Sequence, residues 1–158
     1  MKSLKCYNYD IVFQEIPDNT TLALNISGCP NHCEGCHSPW LWKDAGLELT
    51  YHFIKLLIDK YIDDITCICF MGGDQAPEVI DEFAHNIKSD FPNLKTAWYS
   101  GNDELSSKIS LSNFDFIKIG RYIASKGGLR SPNTNQKFYK VLENSDLEQI
   151  TFTLKNIF

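Results

Sequence analysis

Three cysteines close together in one short loop constrain this chain more than any other feature. Cys29, Cys33 and Cys36 follow the spacing C-x3-C-x2-C, in a stretch that also contains Pro30 and Gly35. Cysteine thiolates are ligands of iron–sulfur clusters and of zinc. A four-iron cluster held by only three thiolates leaves one iron open to an exchangeable ligand. The spacing therefore predicts a reactive metal site rather than a purely structural one.

Zinc and disulfide bonds are the alternatives for these cysteines. A structural zinc site normally takes four ligands from two separated pairs. Only His32 and His37 lie nearby, and both are interleaved with the cysteines, so neither is well placed to fold back onto the same tetrahedral metal. An odd number of crowded cysteines also fits a metal in a reducing compartment better than bridges in a secreted domain. The sequence favours iron–sulfur over zinc, and zinc over disulfides.

Length and charge limit the function classes. With 158 residues the chain is expected to form one domain, residues 1–158, that buries a core without cross-links. The net charge of -5 argues against a nucleic-acid partner and leaves small molecules or other proteins. The N-terminus lacks an apolar signal region, and no run of eighteen apolar residues occurs. We therefore expect a cytoplasmic protein without a membrane span.

Hydrophobic patterning predicts alternating strands and helices. Strands are predicted over residues 7–13, 21–27, 65–71, 94–99, 114–119 and 137–142, with a last extended segment over 149–158. Helices are predicted after Thr50 as N-cap, over residues 79–87 with Pro77 near the first turn, and over 103–109. Residues 125–136 are predicted to form an ordered loop. These repeated units predict an α/β fold with a parallel sheet and functional loops at the carboxyl ends of the strands; the chain is too short for a full eight-unit barrel.

A second motif, Gly72-Gly73-Asp74, directly follows the apolar strand predicted over residues 65–71. Two glycines allow the backbone to approach a ligand closely, and a carboxylate beside them can accept hydrogen bonds from an ammonium group. A tight turn explains the tripeptide equally well when it is taken alone. Its place at a strand end, after the cysteine loop, favours ligand binding.

Together the two motifs resemble the radical S-adenosylmethionine superfamily, in which three such cysteines hold a [4Fe-4S] cluster and a Gly-Gly-Glu motif meets the cofactor. Further segments resemble the enzymes that activate glycyl-radical proteins, and among them the activating proteins of anaerobic ribonucleoside-triphosphate reductases. These segments are Gly35-Cys36-His37, Ser38-Pro39-Trp40, Trp98-Tyr99-Ser100-Gly101, Ile119-Gly120-Arg121-Tyr122 and Asn135-Gln136. The resemblance runs from about Tyr9 to Tyr139.

The resemblance implies a compact partial (β/α) barrel with the cluster at its mouth. It implies Cys29, Cys33 and Cys36 as metal ligands, with no catalytic residue beyond the cluster and cofactor. The residues implied to bind S-adenosylmethionine are Gly35, Cys36, His37, Gly72, Gly73 and Asp74.

The implied reaction is reductive cleavage of S-adenosylmethionine to methionine and a 5′-deoxyadenosyl radical. That radical takes a hydrogen atom from a glycine of the large reductase subunit, which leaves a glycyl radical and 5′-deoxyadenosine. The implied partners are this reductase and a low-potential electron donor such as reduced flavodoxin. Two other classes stay open. One is activation of a different glycyl-radical protein or a small-molecule radical enzyme such as a deazaguanine synthase, and the other is a non-catalytic iron–sulfur or zinc module.

Several residues have two interpretations. Asp74 is one methylene shorter than the glutamate of the superfamily, and residues 14–19 replace a Gly-Glu-Gly-like stretch before the first strand of the motif. Lys118 and Arg121 either reach the cofactor's carboxylate or are surface charges. Cys67 and Cys69 are predicted to be packed free thiols, because an unligated cysteine behaves as a small hydrophobe.

Overall fold

The computed structural model describes residues 3–33 and 39–151. Within these ranges the chain forms eight strands and two α-helices. The strands are β1 (Leu4–Val12), β2 (Thr21–Ile26), β3 (Leu47–Leu49), β4 (Cys67–Met71), β5 (Lys95–Tyr99), β6 (Phe116–Ile119), β7 (Lys137–Val141) and β8 (Leu147–Ile150). The helices are α1 (Tyr51–Tyr61) and α2 (Pro77–Asp90), and short 3-10 segments lie at Pro39–Trp42 and Leu111–Asn113. None of the helices in the described ranges is long and apolar enough to cross a membrane.

All these strands belong to one mixed sheet with the order β3-β1-β2-β4-β5-β6-β7-β8. Strands β2, β4, β5 and β6 are parallel, whereas the pairs β1–β2, β1–β3, β6–β7 and β7–β8 are antiparallel. The expectation of a parallel sheet is thus right for the centre and wrong for both edges. Short connections such as the turn between β7 and β8 can join only antiparallel neighbours. The partial barrel stays a prediction.

Both long helices begin where the sequence places them. The Thr50 side chain accepts a hydrogen bond from the Phe53 amide at 3.1 Å, which caps the first turn of α1. Pro77 opens α2, where the missing amide hydrogen costs nothing. Each helix presents an apolar face to the sheet, and α2 buries Val79, Ile80, Phe83, Ala84 and Ile87.

The helix predicted over residues 103–109 is wrong, because these residues form turns. The carboxylate of Asp103 accepts hydrogen bonds from the backbone and side chain of Arg121 instead of capping a helix. The Ser106 hydroxyl accepts from the Lys108 amide. Serine side chains that bond to nearby backbone compete in this way with a helical ladder. The connection from β5 to β6 therefore contains only the 3-10 segment Leu111–Asn113.

Two apolar cores cover the two faces of the sheet. The larger one packs α1 and α2 against residues such as Ile68 and Phe70 of β4. The smaller one lies on the opposite face and contains Ile16, Cys67, Cys69, Ala97, Phe116 and Phe138. Cys67 and Cys69 are fully buried, which confirms their interpretation as packed thiols.

Residues 14–16, where the chain departs from the superfamily pattern, lie across this smaller core. Ile16 is fully buried there. The Tyr99 hydroxyl donates a hydrogen bond to the Glu15 carbonyl oxygen, and the Arg130 guanidinium donates one to the Gln14 carbonyl oxygen at 3.0 Å. The segment therefore has a packing role that its sequence did not reveal.

The buried thiols predict a loss of stability at alkaline pH. Burial raises the pKa of Cys67 from 9.0 to about 12, and burial also raises the pKa of Cys69. In the unfolded chain the thiol titrates at its ordinary value, so the stabilisation is complete below pH 9 and is lost as the pH rises towards 12. In urea titrations across this range, the free energy of unfolding should fall more steeply for the native protein than for Cys67→Ala. Parallel declines would contradict the assignment.

Candidate functional site

The carboxyl ends of the parallel strands meet at one edge of the sheet, and the loops that follow β2, β4, β5 and β6 lie there together. The loop after β2 carries the cysteines. Its start is fixed by two backbone hydrogen bonds, from Gly28 to the Lys43 carbonyl at 3.1 Å and from Cys29 to the Leu41 carbonyl at 2.9 Å. Gly28 has a φ of 76°, a left-handed conformation that a side chain disfavours. These contacts at the end of β2 fix the backbone orientation of Cys29.

Cys29 and Cys33 are half-buried in this loop and carry no disulfide bond. Burial raises the pKa of the Cys29 thiol, while hydrogen bonds from the Asn31 and His32 amides act in the opposite direction and favour the thiolate. Amide donors directed at sulfur are a feature of iron–sulfur sites. The predicted third ligand, Cys36, and its neighbours Gly35 and His37 lie outside the described residues.

An aromatic stack closes one side of the cysteine loop. The His32 imidazole lies parallel to the Trp42 indole, with ring centroids 4.8 Å apart and an interplanar angle of 6°. His32 adopts a φ of 43°, which is uncommon for a residue other than glycine. The stack fixes the loop at a point between Cys29 and Cys33. The His32 ring packs on Trp42, which favours a packing role over a role as metal ligand.

The donor set in the described part of the loop fits an iron–sulfur cluster better than zinc. It offers two cysteine sulfurs and amide hydrogen bonds to one of them, and His32 is engaged in the stack. No group of three histidine, cysteine, aspartate or glutamate residues that could hold a metal occurs within residues 3–33 and 39–151. Cys36 as the third ligand of a cluster stays a prediction from the sequence, because it lies outside the described residues.

The two glycines after β4 are required by packing as well as by backbone conformation. Gly72 and Gly73 have φ values of 110° and 92°. A Cβ on Gly72 would lie 2.9 Å from the Ile26 carbonyl oxygen, and one on Gly73 would lie 2.7 Å from Cδ1 of Ile80. The Trp98 indole donates to the Gly72 carbonyl oxygen at 2.8 Å. These contacts are internal, so the tight-turn interpretation of the glycines holds whether or not a ligand binds.

Asp74 connects three of the loops. Its carboxylate accepts hydrogen bonds from the Ser100 hydroxyl at 2.5 Å, from the Gly101 amide at 2.8 Å and from the Asn31 side-chain amide at 3.2 Å. Asn31 lies between two of the predicted ligands, and Ser100 is buried directly after β5. The sequence gives no signal for a role of Asn31, and Ser100-Gly101 stands out in it only as part of the family resemblance.

Lys118 and Arg121 have different surroundings. Lys118 is only 9% exposed, and its ammonium group donates to the carbonyl oxygens of Ser100 at 3.1 Å and Gly120 at 2.9 Å. The surface-charge interpretation is therefore wrong for Lys118. Arg121 is exposed and forms an ion pair with Asp103 at 2.9 Å, and the hydrogen bonds from Arg121 lower the pKa of Asp103. A contact of either residue with a cofactor carboxylate stays a prediction.

A cleft of about 920 Å³ lies beside the cysteines. One wall is formed by residues 30–33 of the cysteine loop, and the other by residues 121–125, which follow β6. This volume is in the range of sites that hold a cofactor-sized molecule. Residues 30–33 of the cysteine loop therefore border a space that a ligand can enter.

In a comparison with protein families, the family model described as "4Fe-4S single cluster domain" matches residues 19–142, well over half of the chain. The matched range begins two residues before β2 and includes the cysteine loop, the Gly-Gly-Asp turn and all four parallel strands. No curated protein and no solved structure matches the chain.

Proposed function

The chain belongs to the 4Fe-4S single cluster domain family, which is found in iron–sulfur proteins of the radical S-adenosylmethionine type, and from this we propose that it is an activase of the anaerobic ribonucleoside-triphosphate reductase. In this proposal Cys29, Cys33 and Cys36 hold the cluster, and the cofactor lies between the cysteine loop and the Gly72-Gly73-Asp74 turn. The product is a glycyl radical on the reductase.

One observation carries the proposal: the side chain of Asp74 accepts a hydrogen bond from Asn31, inside the cysteine motif. A cofactor that chelates the open iron through its amino acid part must contact the cysteine loop and an ammonium-binding group at the same time. The two motifs are distant in sequence, and their direct contact brings both functions to one place. The adjacent cleft supplies the volume for the remainder of the cofactor.

A [4Fe-4S] cluster held by Cys29, Cys33 and Cys36, once reduced by an electron donor, would supply the one electron needed to cleave S-adenosylmethionine, with methionine, 5′-deoxyadenosine and a glycyl radical on the reductase as the products. The residues of this chain bind and orient. In this proposal Asp74 accepts a hydrogen bond from the cofactor's ammonium group, and the hydrogen bonds from Ser100, Gly101 and Asn31 orient the Asp74 carboxylate. Lys118 is held by the carbonyls of Ser100 and Gly120 at the same edge of the sheet. No acid–base pair is needed.

The packing of residues 14–16 favours a protein substrate over a small-molecule substrate. The smaller core is filled by side chains that include Ile16, Tyr99 and Phe138. In the described part of the chain, these packed side chains occupy the space that a closed small-molecule pocket would need on this face of the sheet. A reaction at the edge of the sheet, beside the cleft, is accessible to a loop of another protein. A small-molecule radical enzyme would instead need a closed pocket that excludes water.

The proposal is tested by measuring 5′-deoxyadenosine after anaerobic incubation of the reconstituted, reduced protein with S-adenosylmethionine, with and without the reductase. We expect slow cleavage by the protein alone and faster cleavage when the reductase is added. A non-catalytic iron–sulfur or zinc module would produce no 5′-deoxyadenosine in either mixture. Fast cleavage that ignores the reductase and follows an added small molecule would instead favour a small-molecule radical enzyme.

A further inference from the structure

The indole nitrogen of Trp42 is a buried hydrogen-bond donor without an acceptor. It is closed off from solvent, and within residues 3–33 and 39–151 no atom accepts its hydrogen. An indole N–H can only donate, and burying it unpaired is unfavourable because water can no longer accept its hydrogen bond. Buried polar groups in folded proteins almost always have a partner, so this one needs a specific explanation.

The other two tryptophans of the chain have ordinary surroundings. The Trp98 indole donates to the Gly72 carbonyl oxygen at 2.8 Å. Trp40, two residues before Trp42 in the same 3-10 segment, is 49% exposed and accessible to water. Trp42 therefore differs from both, and its unpaired nitrogen is a property of its position beside the cysteine loop.

Both the side chain and the backbone around Trp42 contact the cysteine loop. The indole stacks on the His32 ring, with centroids 4.8 Å apart. The carbonyl oxygens of Leu41 and Lys43, on either side of Trp42, accept hydrogen bonds from the amides of residues 29 and 28. A group bound at the cysteines is therefore a close neighbour of the indole.

The described cysteines do not supply the missing acceptor. The sulfur atoms of Cys29 and Cys33 belong to the described residues, and neither accepts a hydrogen bond from Trp42. A [4Fe-4S] cluster brings additional sulfur atoms, its inorganic sulfides, and hydrogen bonds to cluster sulfurs are among the factors that set the reduction potential. Zinc bound by the same cysteines would bring no such acceptor.

We propose that the Trp42 indole donates a hydrogen bond to an inorganic sulfide of a [4Fe-4S] cluster held by the cysteine loop, and that this bond raises the reduction potential of the cluster. The reduced cluster carries one more negative charge than the oxidised cluster, so a donor at its sulfur stabilises the reduced form more. The inference rests on the proposed function only in requiring a reducible cluster at the cysteines.

The test is a redox titration of the anaerobically reconstituted protein with dithionite and mediators, in which electron paramagnetic resonance measures the reduced cluster. Neither S-adenosylmethionine nor the reductase is present, so the result is independent of radical formation. The variant Trp42→Phe keeps an aromatic ring against His32 and removes the N–H donor. Its matched control is Trp40→Phe, the same change at the exposed position two residues earlier.

We expect Trp42→Phe to lower the ratio of reduced to oxidised cluster about tenfold at a fixed potential, which is a shift of ~59 mV for a one-electron couple. Trp40→Phe should titrate as the native protein does. Iron and sulfide content should be the same in all three proteins, because neither tryptophan is a metal ligand. A role of Trp42 in packing alone would not move the potential.

A second measurement does not depend on the Trp42 variant. Protein labelled with ¹⁵N at the indole nitrogens is reduced, and pulsed electron paramagnetic resonance detects nitrogen nuclei that couple to the cluster. We expect a ¹⁵N coupling in the native protein and in Trp40→Phe, because the Trp42 nitrogen is present in both. The coupling should be absent in Trp42→Phe.

Three results would overturn the inference and leave the proposed function standing. One is an equal potential for Trp42→Phe and the native protein, and another is the absence of a ¹⁵N coupling in the native protein, which would assign the indole hydrogen to a buried water or another protein atom. The third is a shift that occurs only after S-adenosylmethionine is added, which would make the cofactor the acceptor. A native protein that binds no iron cluster would overturn the proposed function as well.

Discussion

We expect Cys33→Ala to abolish assembly of the four-iron cluster, whereas Cys69→Ala should leave it in place. Cys33 is half-buried in the loop and lines the cleft. Cys69 is fully buried on β4, and burial raises its pKa, so it stays a protonated thiol that does not compete for iron. The measurement is iron and sulfide content per chain after anaerobic reconstitution, together with the visible spectrum.

The comparison is matched because both variants remove one thiol from a chain with six cysteines. Cys69→Ala leaves a small cavity in the smaller core and should cost about 1 kcal/mol of stability, which circular dichroism can monitor. Loss of the cluster in Cys69→Ala with retention in Cys33→Ala would refute the ligand assignment. Zinc bound at the same stoichiometry by the native protein, with no affinity for iron, would favour the zinc module.

The second large effect is expected at Asp74. Asp74→Ala should weaken S-adenosylmethionine binding about ten- to hundredfold, since a hydrogen bond to a charged group contributes roughly 1.5–3 kcal/mol. Cluster content should stay near that of the native protein, because the Asp74 carboxylate accepts hydrogen bonds from Ser100, Gly101 and Asn31 and is not one of the predicted metal ligands. Anaerobic calorimetric titration with S-adenosylmethionine measures the change.

Two further variants separate direct contact from loop positioning. Asp146→Ala removes an exposed carboxylate in the turn between β7 and β8, outside the cleft and the loops that Asp74 connects, and should leave binding unchanged. Ser100→Ala removes one of the donors to Asp74 but keeps its charge, so its effect should be clearly smaller than that of Asp74→Ala. Equal losses in Ser100→Ala and Asp74→Ala would mean that Asp74 acts only by positioning the loops.

Most of the strands could be predicted because each one is encoded by a short apolar run that ends in turn residues. The apolar run at Cys67–Met71 ends in two glycines, and the Thr50 cap precedes an apolar helical face, so both elements have the positions expected from sequence. Residues 103–109 differ because the competing partner of Asp103 is Arg121, which follows β6. The contact between Asp103 and Arg121 joins residues that are distant in sequence, so the pattern of residues 103–109 alone does not reveal it.

The sequence predicts an iron–sulfur site at the cysteine loop, but it does not predict which side chains connect the loops of the site. The cysteine spacing and the Gly-Gly-Asp turn predict two ligand-binding loops, yet only the sheet register brings Asp74 to Asn31. The same is true of Lys118, whose burial depends on the carbonyls of Ser100 and Gly120. Residues 14–16 gave no signal of their packing because Ile16 reaches a core formed by distant strands.

The proposed activase function is tested most directly by electron paramagnetic resonance of the cognate reductase. The reductase is incubated under argon with the reconstituted, reduced protein and S-adenosylmethionine, and a second sample contains a reductase whose C-terminal radical glycine is replaced by alanine. The account predicts a doublet from a carbon-centred radical in the first sample and its absence in the second. Stoichiometric 5′-deoxyadenosine without a radical signal on the reductase would contradict it.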